Sequence, residues 1–276
     1  MGSLSPSDLP TFPKTIVFEP FFPYTSSYMK VFAIADLHLA LGVPQKRMGD
    51  KWEVWLEHEQ KLYDNFHRLV APDDLVLIAG DISWAMTLDE ARPDFAWLDT
   101  LPGKKVLLKG NHDYWWPSDK KLRDFLPPSI TFIHKNALLI DNISIGGSRL
   151  WENDEIHSGS IIHFVPTPNS PTFNNSLSAQ DIKTYDTEII RLENSLSSMP
   201  EAPLRIAMTH YPPIDPMLHE SRFTKMFEQY QIKHVVFGHI HNAKKIPLYG
   251  EKNGVSYHLV AADYLDFCPK LIATVN

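Results

Sequence analysis

The stretch LVLIAGD at residues 75–81 decides the fold, because it joins a short apolar run to a glycine and a carboxylate. Short runs rich in branched apolar side chains are typical of strands that are buried on both faces. Four further runs of the same kind occur along the chain, and each also leads into polar residues. The five predicted strands cover residues 31–35, 75–79, 106–108, 204–208 and 234–237.

Two longer stretches between these runs carry the apolar spacing of a helix. Residues 52–69, which include Trp55, and residues 178–196 both place apolar side chains near helical spacing. Strands that alternate with helices predict an α/β layered fold. Because strand-like sequence dominates residues 130–145 and 255–275, we expect part of the sheet system to be antiparallel or mixed.

The composition of the 276-residue chain is that of a soluble globular protein, with 43% hydrophobic and 21% charged residues. The formal charge of −7 and the lack of a run rich in Lys and Arg argue against a general nucleic-acid binder. No segment approaches the roughly 18 apolar residues of a membrane span. The single cysteine, Cys268, excludes a disulfide framework and a cysteine-based zinc site. Together with the lack of a signal-peptide pattern, it predicts a cytoplasmic protein.

The chain is expected to form one domain, residues 30–276, preceded by an irregular arm at residues 1–29 that is rich in proline and aromatic side chains. The domain shows no internal repeat and no change of composition. Residues 153–178 are rich in Ser, Asn, Thr and Pro and have no periodicity. Long loops inside compact domains are commonly functional, so we expect this loop and the loop 39–51 to rim the site, where either could act as a lid.

Side chains able to bind a metal follow all five predicted strands. The carboxyl ends of parallel strands line one crevice, so these side chains are expected to converge there. One such group alone is weak, since an Asp-x-His or Gly-Asp pair is often a surface pair or a turn, but five groups in order predict a metal site. Carboxylate, imidazole and amide donors suit Mn, Fe, Zn or Co. The residues concerned are Asp36, His38, Asp81, Asn111, His112, Asp113, His210, His239 and His241.

These ordered motifs resemble those of the calcineurin-like metallophosphoesterases. The resemblance covers about residues 30–259, and the segments at 80–85 and 111–116 are similar to a bacterial branch of predicted phosphohydrolases. It implies a four-layer α-β-β-α sandwich of two mixed sheets. The motifs that carry it are Asp36-Leu37-His38, Gly80-Asp81, Gly110-Asn111-His112-Asp113, His210 and Gly238-His239-Ile240-His241.

The resemblance further implies a site for two divalent metal ions, either Mn, Fe, Zn or Mg, with Mn favoured. Two such ions can activate a hydroxide and clamp the phosphoryl oxygens during an in-line displacement. The implied ligands are Asp36, His38 and His241 for the first ion, Asn111, His210 and His239 for the second, and Asp81 for both.

The segment around Asn111 supplies two further candidates for catalysis. His112 is the candidate general acid that protonates the leaving group. Asp113 is expected either to orient His112 or another ligand, or simply to stabilise the turn.

One departure separates this chain from the protein Ser/Thr phosphatases of the superfamily, which continue Gly-Asp-x-x-Asp-Arg. Trp84 and Ala85 stand in place of that Asp and Arg, so the chain does not resemble a protein phosphatase. Arg149 is a candidate replacement for the phosphate clamp, and a surface arginine is the alternative. Trp84 is a candidate substrate-binding aromatic residue, and packing beneath the metals is the alternative.

Together these features predict a cytoplasmic, metal-dependent hydrolase that cleaves a phosphomonoester or phosphodiester of a small phosphorylated substrate. Two alternatives stay open at this point: a binding module on the same scaffold, and a nuclease of the same superfamily. The complete ligand set counts against the first alternative, and the net charge of −7 counts against the second. The oligomeric state is not predicted.

Overall fold

The computed structural model describes residues 28–153, 155–156, 159–162 and 178–276. The expected arm at residues 1–29 therefore lies outside the described residues except for its last two. Most of the candidate lid at residues 153–178 also lies outside them. The loop 39–51 is described, and it contains two short 3₁₀ turns, Pro44–Lys46 and Met48–Asp50.

The first sheet has five strands, and the last strand of the chain pairs with the first strand of the chain. Its strands are β1 (Met29–Ile34), β2 (Leu75–Ile78), β3 (Lys104–Leu108), β4 (Ile130–Ile133) and β11 (Lys270–Val275). They lie in the order β11-β1-β2-β3-β4. The pairs from β1 to β4 are parallel, whereas β11 runs antiparallel to β1, so the sheet is mixed.

The second sheet has six strands and is also mixed. Its strands are β5 (Leu138–Ile140), β6 (Ile143–Gly147), β7 (Leu204–Met208), β8 (His234–Phe237), β9 (Glu251–Lys252) and β10 (Val255–Leu259). They lie in the order β5-β6-β7-β8-β10-β9, with parallel pairs in the middle and an antiparallel pair at each edge.

Within the described residues, five α-helices cover the outer faces of the sheets. They are α1 (His58–Leu69), α2 (Leu88–Thr100), α3 (Asp119–Phe125), α4 (Ala179–Ser197) and α5 (Arg222–Gln229). Among the described residues, no helix has both the length and the apolar content needed to cross a membrane.

Alternation along the strands separates the interior into three apolar clusters. Ala33 of β1 faces Ile206 of β7 in a cluster between the two sheets, whereas the next residue, Ile34, packs with α1 and α2 on the outer side. In the second sheet, Phe237 belongs to the cluster beneath α4 and α5. Successive strand residues point to opposite faces of a sheet, so both faces of each sheet are buried. The predicted four-layer sandwich is confirmed.

The two sheets join where β1 and β10 end. Ala35, just after β1, forms a parallel bridge with Ala261, just after β10, and its N–H donates to the Val260 carbonyl at 2.8 Å. This bridge brings the carboxyl ends of the two sets of parallel strands to one side of the molecule, where the predicted metal ligands lie.

Most of the predicted elements are present. The strands predicted at 204–208 and 234–237 match in full, and the helix predicted at 178–196 begins one residue later, behind a capping box of Ser178 and Asp181. The prediction of a continuous helix over 52–69 is wrong, because Glu57 takes a left-handed backbone and α1 begins only at His58. Trp55 instead lies in a 3₁₀ turn, with its ring 5.5 Å from that of His38.

Candidate metal centre

Seven candidate ligands meet at the joined edge of the sheets. They lie just beyond five strands: Asp36 and His38 after β1, Asp81 after β2, Asn111 after β3, His210 after β7, and His239 and His241 after β8. Two sets of three donor atoms lie within 4.8 Å of one another, namely Asp36, His38 and His241, and Asp36, Asp81 and His210.

One half of the site is built around His38 and His241. Their Nε2 atoms are 3.1 Å apart. The Nε2 of His241 is 3.8 Å from Asp36 Oδ1, and the Nε2 of His38 is 3.8 Å from Asp81 Oδ2. Imidazole and carboxylate donors therefore face a common point between the ends of β1, β2 and β8.

The other half is built around Asn111. Its Oδ1 lies 2.7 Å from His210 Nε2 and 3.1 Å from His239 Nδ1. His210 Nε2 is also 3.5 Å from Asp81 Oδ2, the same oxygen that faces His38. The Asp81 carboxylate thus lies between the two halves, in the position of a bridging ligand.

The hydrogen bonds behind the histidines show that the site is built for cations. His210 Nδ1 is 3.0 Å from the Ala79 carbonyl, which can only accept, so this nitrogen carries a hydrogen. In the neutral ring Nε2 is then a lone pair, and it faces the Asn111 oxygen at 2.7 Å. A proton on Nε2 satisfies this contact when no metal is bound, and both atoms are of types that can bind a metal ion. The donor set therefore fits metal ions.

The pKa values of His210 and His241, which both lie beside carboxylates, agree with this conclusion. Burial disfavours the charged ring of His210, yet Asp81 and Asp36 outweigh it and raise its pKa to about 9. In the same way, the Asp263 hydrogen bond and Asp36 overcome burial and raise the pKa of His241 to about 9. Without metal, the rings of His210 and His241 therefore favour the protonated form, and a bound metal ion would replace those protons.

The remaining ligands show the cost of burying charge without metal. Burial raises the pKa of Asp36 to about 7, and it lowers the pKa of His239 to about 3. For Asp81, burial again opposes ionisation, but His210 and further hydrogen bonds hold its pKa well below the usual range. Asp81 therefore favours its ionised form in this arrangement.

Close backbone approach makes glycine necessary beside two of the ligands. A Cβ atom at Gly110 would lie 2.1 Å from Asp81 Oδ1, and one at Gly238 would lie 2.4 Å from Asp36 Oδ2. Both contacts are far inside van der Waals distance, so neither position can carry a side chain while the carboxylate keeps its place.

His112 lies at the opening of the site, and its backbone N–H donates to Asp81 Oδ1 at 2.8 Å. Its ring is half-buried, with its centre 5.9 Å from that of His38. Burial lowers the pKa of the His112 imidazole, while Asp81 opposes the shift. The ring is accessible enough to meet a substrate and near enough to the ligands to act on one bound there.

Asp113 is fully buried and does not contact the His112 ring. Its carboxylate accepts from the N–H groups of Asp81, Ile82, Ser83 and Gly110 and from the Trp115 indole, at 2.7–3.3 Å. These contacts tie the turn after β2 to the turn after β3. They fit both expectations for Asp113, because the carboxylate stabilises the two turns and also holds the backbone of the candidate ligand Asp81.

Comparison with known families identifies this arrangement. The family described as calcineurin-like phosphoesterase matches residues 29–243. The chain belongs to the calcineurin-like phosphoesterase family. Members of this family use two metal ions, and the protein is a metal-dependent phosphoester hydrolase.

Several solved structures are similar to this calcineurin-like phosphoesterase. The phosphopantetheinyl hydrolase of Mycobacterium tuberculosis is 15% identical, with a TM-score of 0.52, and the match covers 89% of this chain and 96% of that chain. A protein of unknown function from Aquifex aeolicus is 12% identical, with a TM-score of 0.43 and coverages of 88% and 95%. Purple acid phosphatase from yellow lupin is 14% identical, with a TM-score of 0.43 and coverages of 85% and 44%. No curated protein sequence matches significantly.

The two candidate substrate-binding residues lie in different places in this calcineurin-like phosphoesterase. Trp84 stacks on His38 with ring centres 4.6 Å apart and an interplanar angle of 17°, and it also contacts His112 at 4.6 Å. One face of its indole is therefore covered by a ligand. Arg149 lies outside the ligand cluster, where it pairs with Glu188 at 3.3 Å and covers the Trp151 ring.

Asp263 is a member of the site that sequence analysis missed. Its Oδ1 accepts from His241 Nδ1 at 3.1 Å, and its Oδ2 accepts from the Asn242 N–H at 2.8 Å. A carboxylate behind a histidine fixes which nitrogen faces the metal. The signal was present, because β10 is one more apolar run that leads into a carboxylate.

Proposed function

We propose that the protein is a dinuclear phosphohydrolase that cleaves a small phosphomonoester or phosphodiester, with His112 donating a proton to the leaving group. One ion would be held by Asp36, His38 and His241, the other by Asn111, His210 and His239, with Asp81 between them. The observation that carries the proposal is the position of the Asp81 carboxylate between the two groups of donors, with Oδ2 3.8 Å from His38 Nε2 and 3.5 Å from His210 Nε2.

The donor set favours manganese, because oxygen and imidazole ligands without thiolate suit borderline and hard divalent ions. Bound there, the two ions would supply Lewis-acid activation of the phosphoryl group and of a water nucleophile. The single cysteine, Cys268, supports a reducing compartment such as the cytoplasm.

The part of this chain in the reaction is to position groups and to move one proton. Asp81, held ionised, keeps the two halves of the site in register. A phosphoryl group placed between the ligands carries negative charge towards His112, and a nearby negative charge favours the protonated imidazole. The Trp84 ring restrains His112 on one side. His112 can then transfer its proton to the leaving oxygen. General-acid catalysis of this kind typically raises the rate by about 10²–10⁴-fold.

The test compares His112→Ala with the wild type on phosphoesters of different leaving groups, in the presence of Mn²⁺. Loss of the general acid should cost about 10²–10⁴-fold with an alkyl phosphoester, whose leaving group needs a proton. It should cost less with bis-p-nitrophenyl phosphate, whose leaving group is stable as an anion. His67→Ala, an exposed histidine on α1, is the matched control and should keep full activity.

A second variant tests the ligand assignment itself. Asp81→Asn should lower both the bound manganese and the turnover of bis-p-nitrophenyl phosphate by orders of magnitude, since the bridge loses its charge. Asp64→Asn on the exposed side of α1 is the control. Wild-type turnover in Asp81→Asn would remove the bridging role. A protein that holds two ions but hydrolyses none of the phosphoesters would support the binding-module alternative instead.

A further inference from the structure

A second pocket lies at the seam of the two sheets, beyond the ends of β3 and β6. It has a volume of about 170 Å³. Lys109 and Trp116 line it from the first sheet, and Arg149 lines it from the second, while Glu188 and Arg191 of α4 close it. None of the seven candidate metal ligands lines this pocket.

Positive charge exceeds negative charge in this pocket. Lys109, Arg149 and Arg191 face a single lining carboxylate, that of Glu188. One oxygen of Glu188 accepts from both guanidinium groups, from Arg191 Nη1 at 2.6 Å and from Arg149 Nη2 at 3.3 Å. The fifth ionisable group, His134, is already paired with Asp119 at 2.9 Å.

Two donors of the pocket remain without partners. Within the part of the chain that the structure describes, Lys109 forms no ion pair, although it is half-buried beside two guanidinium groups. The Nε–H of Arg149 is buried and has no acceptor among the described residues. A buried donor without a partner is costly, and a bound anion would remove that cost at Arg149 and pair with Lys109 as well.

The volume of the pocket suits a small anion. Pockets for whole drug-sized ligands span roughly 300–1,000 Å³. A pocket of about 170 Å³ therefore suits one phosphate-sized group rather than a complete nucleotide or sugar. Guanidinium forks match the paired oxygens of such a group.

The pocket is connected to the metal centre through the backbone. Lys109 is two residues before Asn111, so their Cα atoms are at most about 7.6 Å apart. The carbonyl of Arg149 accepts from the N–H groups of His210 and Tyr211 at 3.1 and 2.9 Å. An anion bound in the pocket thus contacts the same two segments that carry ligands of the proposed second ion.

We propose that the pocket formed by Lys109, Arg149 and Arg191 binds a phosphate-sized oxyanion. The anion is either the second anionic group of a substrate whose other phosphoryl group lies on the metal centre, or free inorganic phosphate. The binding itself does not rest on the proposed catalytic function. Its use by a substrate does.

The binding test titrates the metal-loaded protein with inorganic phosphate by calorimetry. The wild type should show two sites, one at the metal centre and one in the pocket. Arg191→Gln and Lys109→Gln should each weaken the pocket site about tenfold or more and leave the other site unchanged. Lys183→Gln, an exposed cation on the same helix α4, is the control and should match the wild type.

Two results would overturn the proposal: a single phosphate site in the wild type, or wild-type isotherms in both Arg191→Gln and Lys109→Gln. Repeating the titration with Asp81→Asn separates the two hypotheses, because the pocket site should persist there even if the metal centre is lost. If the metal-loaded wild type hydrolysed none of the phosphoesters but retained the pocket site, the catalytic proposal would fail while this one stands.

The source of the anion is settled by kinetics with Arg191→Gln. If the pocket holds part of the substrate, KM should rise about tenfold for a nucleoside bisphosphate and stay unchanged for p-nitrophenyl phosphate. If it holds free phosphate, both KM values should stay unchanged, and the variant should lose only the effect of added phosphate on turnover. Either pattern supports the anion site and shows which of the two anions it binds.

Discussion

The carboxylate of Asp263 offers the sharpest test of how this site selects its metal-binding atoms. Asp263 Oδ1 receives the hydrogen of His241 Nδ1, which leaves Nε2 of the ring to face Asp36 and His38. The substitution Asp263→Asn keeps the size and shape of the side chain. Its amide oxygen can still accept from the Asn242 N–H, but its amide nitrogen then points at His241 Nδ1 as a donor.

The expected result is a change of tautomer at His241. A donor at position 263 makes Nδ1 an acceptor and moves the hydrogen to Nε2, the atom that faces the metal position. Loss of such a carboxylate behind a metal-bound histidine typically costs about 10–100-fold in metal affinity or activity. That range corresponds to roughly 1.4–2.7 kcal/mol, which is the size of one hydrogen bond to a charged group.

The assay is a titration of bound manganese against a competing chelator, followed by turnover of bis-p-nitrophenyl phosphate at saturating manganese. Asp266→Asn is the matched control, because Asp266 is three residues away, is exposed and pairs with the surface residue Lys245. One of the two ions should be lost about 10–100-fold more readily in Asp263→Asn and be unaffected in Asp266→Asn. Equal manganese affinity in Asp263→Asn and the wild type would refute the tautomer argument.

Three further outcomes follow from single contacts. Trp84→Leu removes the ring that contacts His38 and His112, so kcat should fall about tenfold. The manganese content of the variant should stay near that of the wild type. A parallel loss of manganese would mean that Trp84 supports metal binding instead. Asp113→Asn introduces a donor among five N–H groups, so the free energy of unfolding measured in urea should fall by at least about 1–3 kcal/mol. An unchanged urea midpoint would contradict the turn-stabilising role. Burial lowers the pKa of His258 to about 3 from an ordinary 6.5, so the unfolded chain binds more protons between these values and stability falls as the pH drops below 6.5. In His258→Gln, the loss of stability between pH 7 and pH 5 should shrink by up to about 2 kcal/mol, as measured by urea unfolding at both pH values.

Strand ends and ligand types could be predicted because each depends on neighbouring residues. The run at 75–79 is apolar for its whole length, so its burial follows from composition, and the polar residues after it mark where the strand ends. Five runs of this kind were enough to predict the converging ligands. Trp55 shows the limit of periodicity, because its spacing to Leu62 matches a helix while its ring actually packs 5.6 Å from His241.

The parts that escaped prediction depend on residues distant in sequence. Asp263 acts on His241 from 22 positions away, after a strand whose pairing with β8 is not visible in the sequence. Arg149 was predicted as a candidate phosphate clamp, but its position depends on Glu188 of α4. Which of several polar side chains meets which partner is decided by sheet order, and sheet order is a property of the whole fold.

Backbone strain explains why the ligands have to be assembled together. Asp36, His38, Asp81 and His239 all take left-handed backbone, with φ of 58°, 47°, 53° and 71°. For residues other than glycine this conformation costs of order 1 kcal/mol or more each.

Each strained residue is held by another part of the site. The N–H of Asp36 donates to the Gly80 carbonyl, that of His38 to the Asp81 carbonyl, and that of His239 to the Asp36 carboxylate. The N–H of Asp81 donates to Asp113. The turns after β1, β2 and β8 therefore hold one another in place, and none of them can keep its ligand geometry alone. A site of this kind forms only when both sheets are joined, which ties its preorganisation to the complete fold rather than to any one motif.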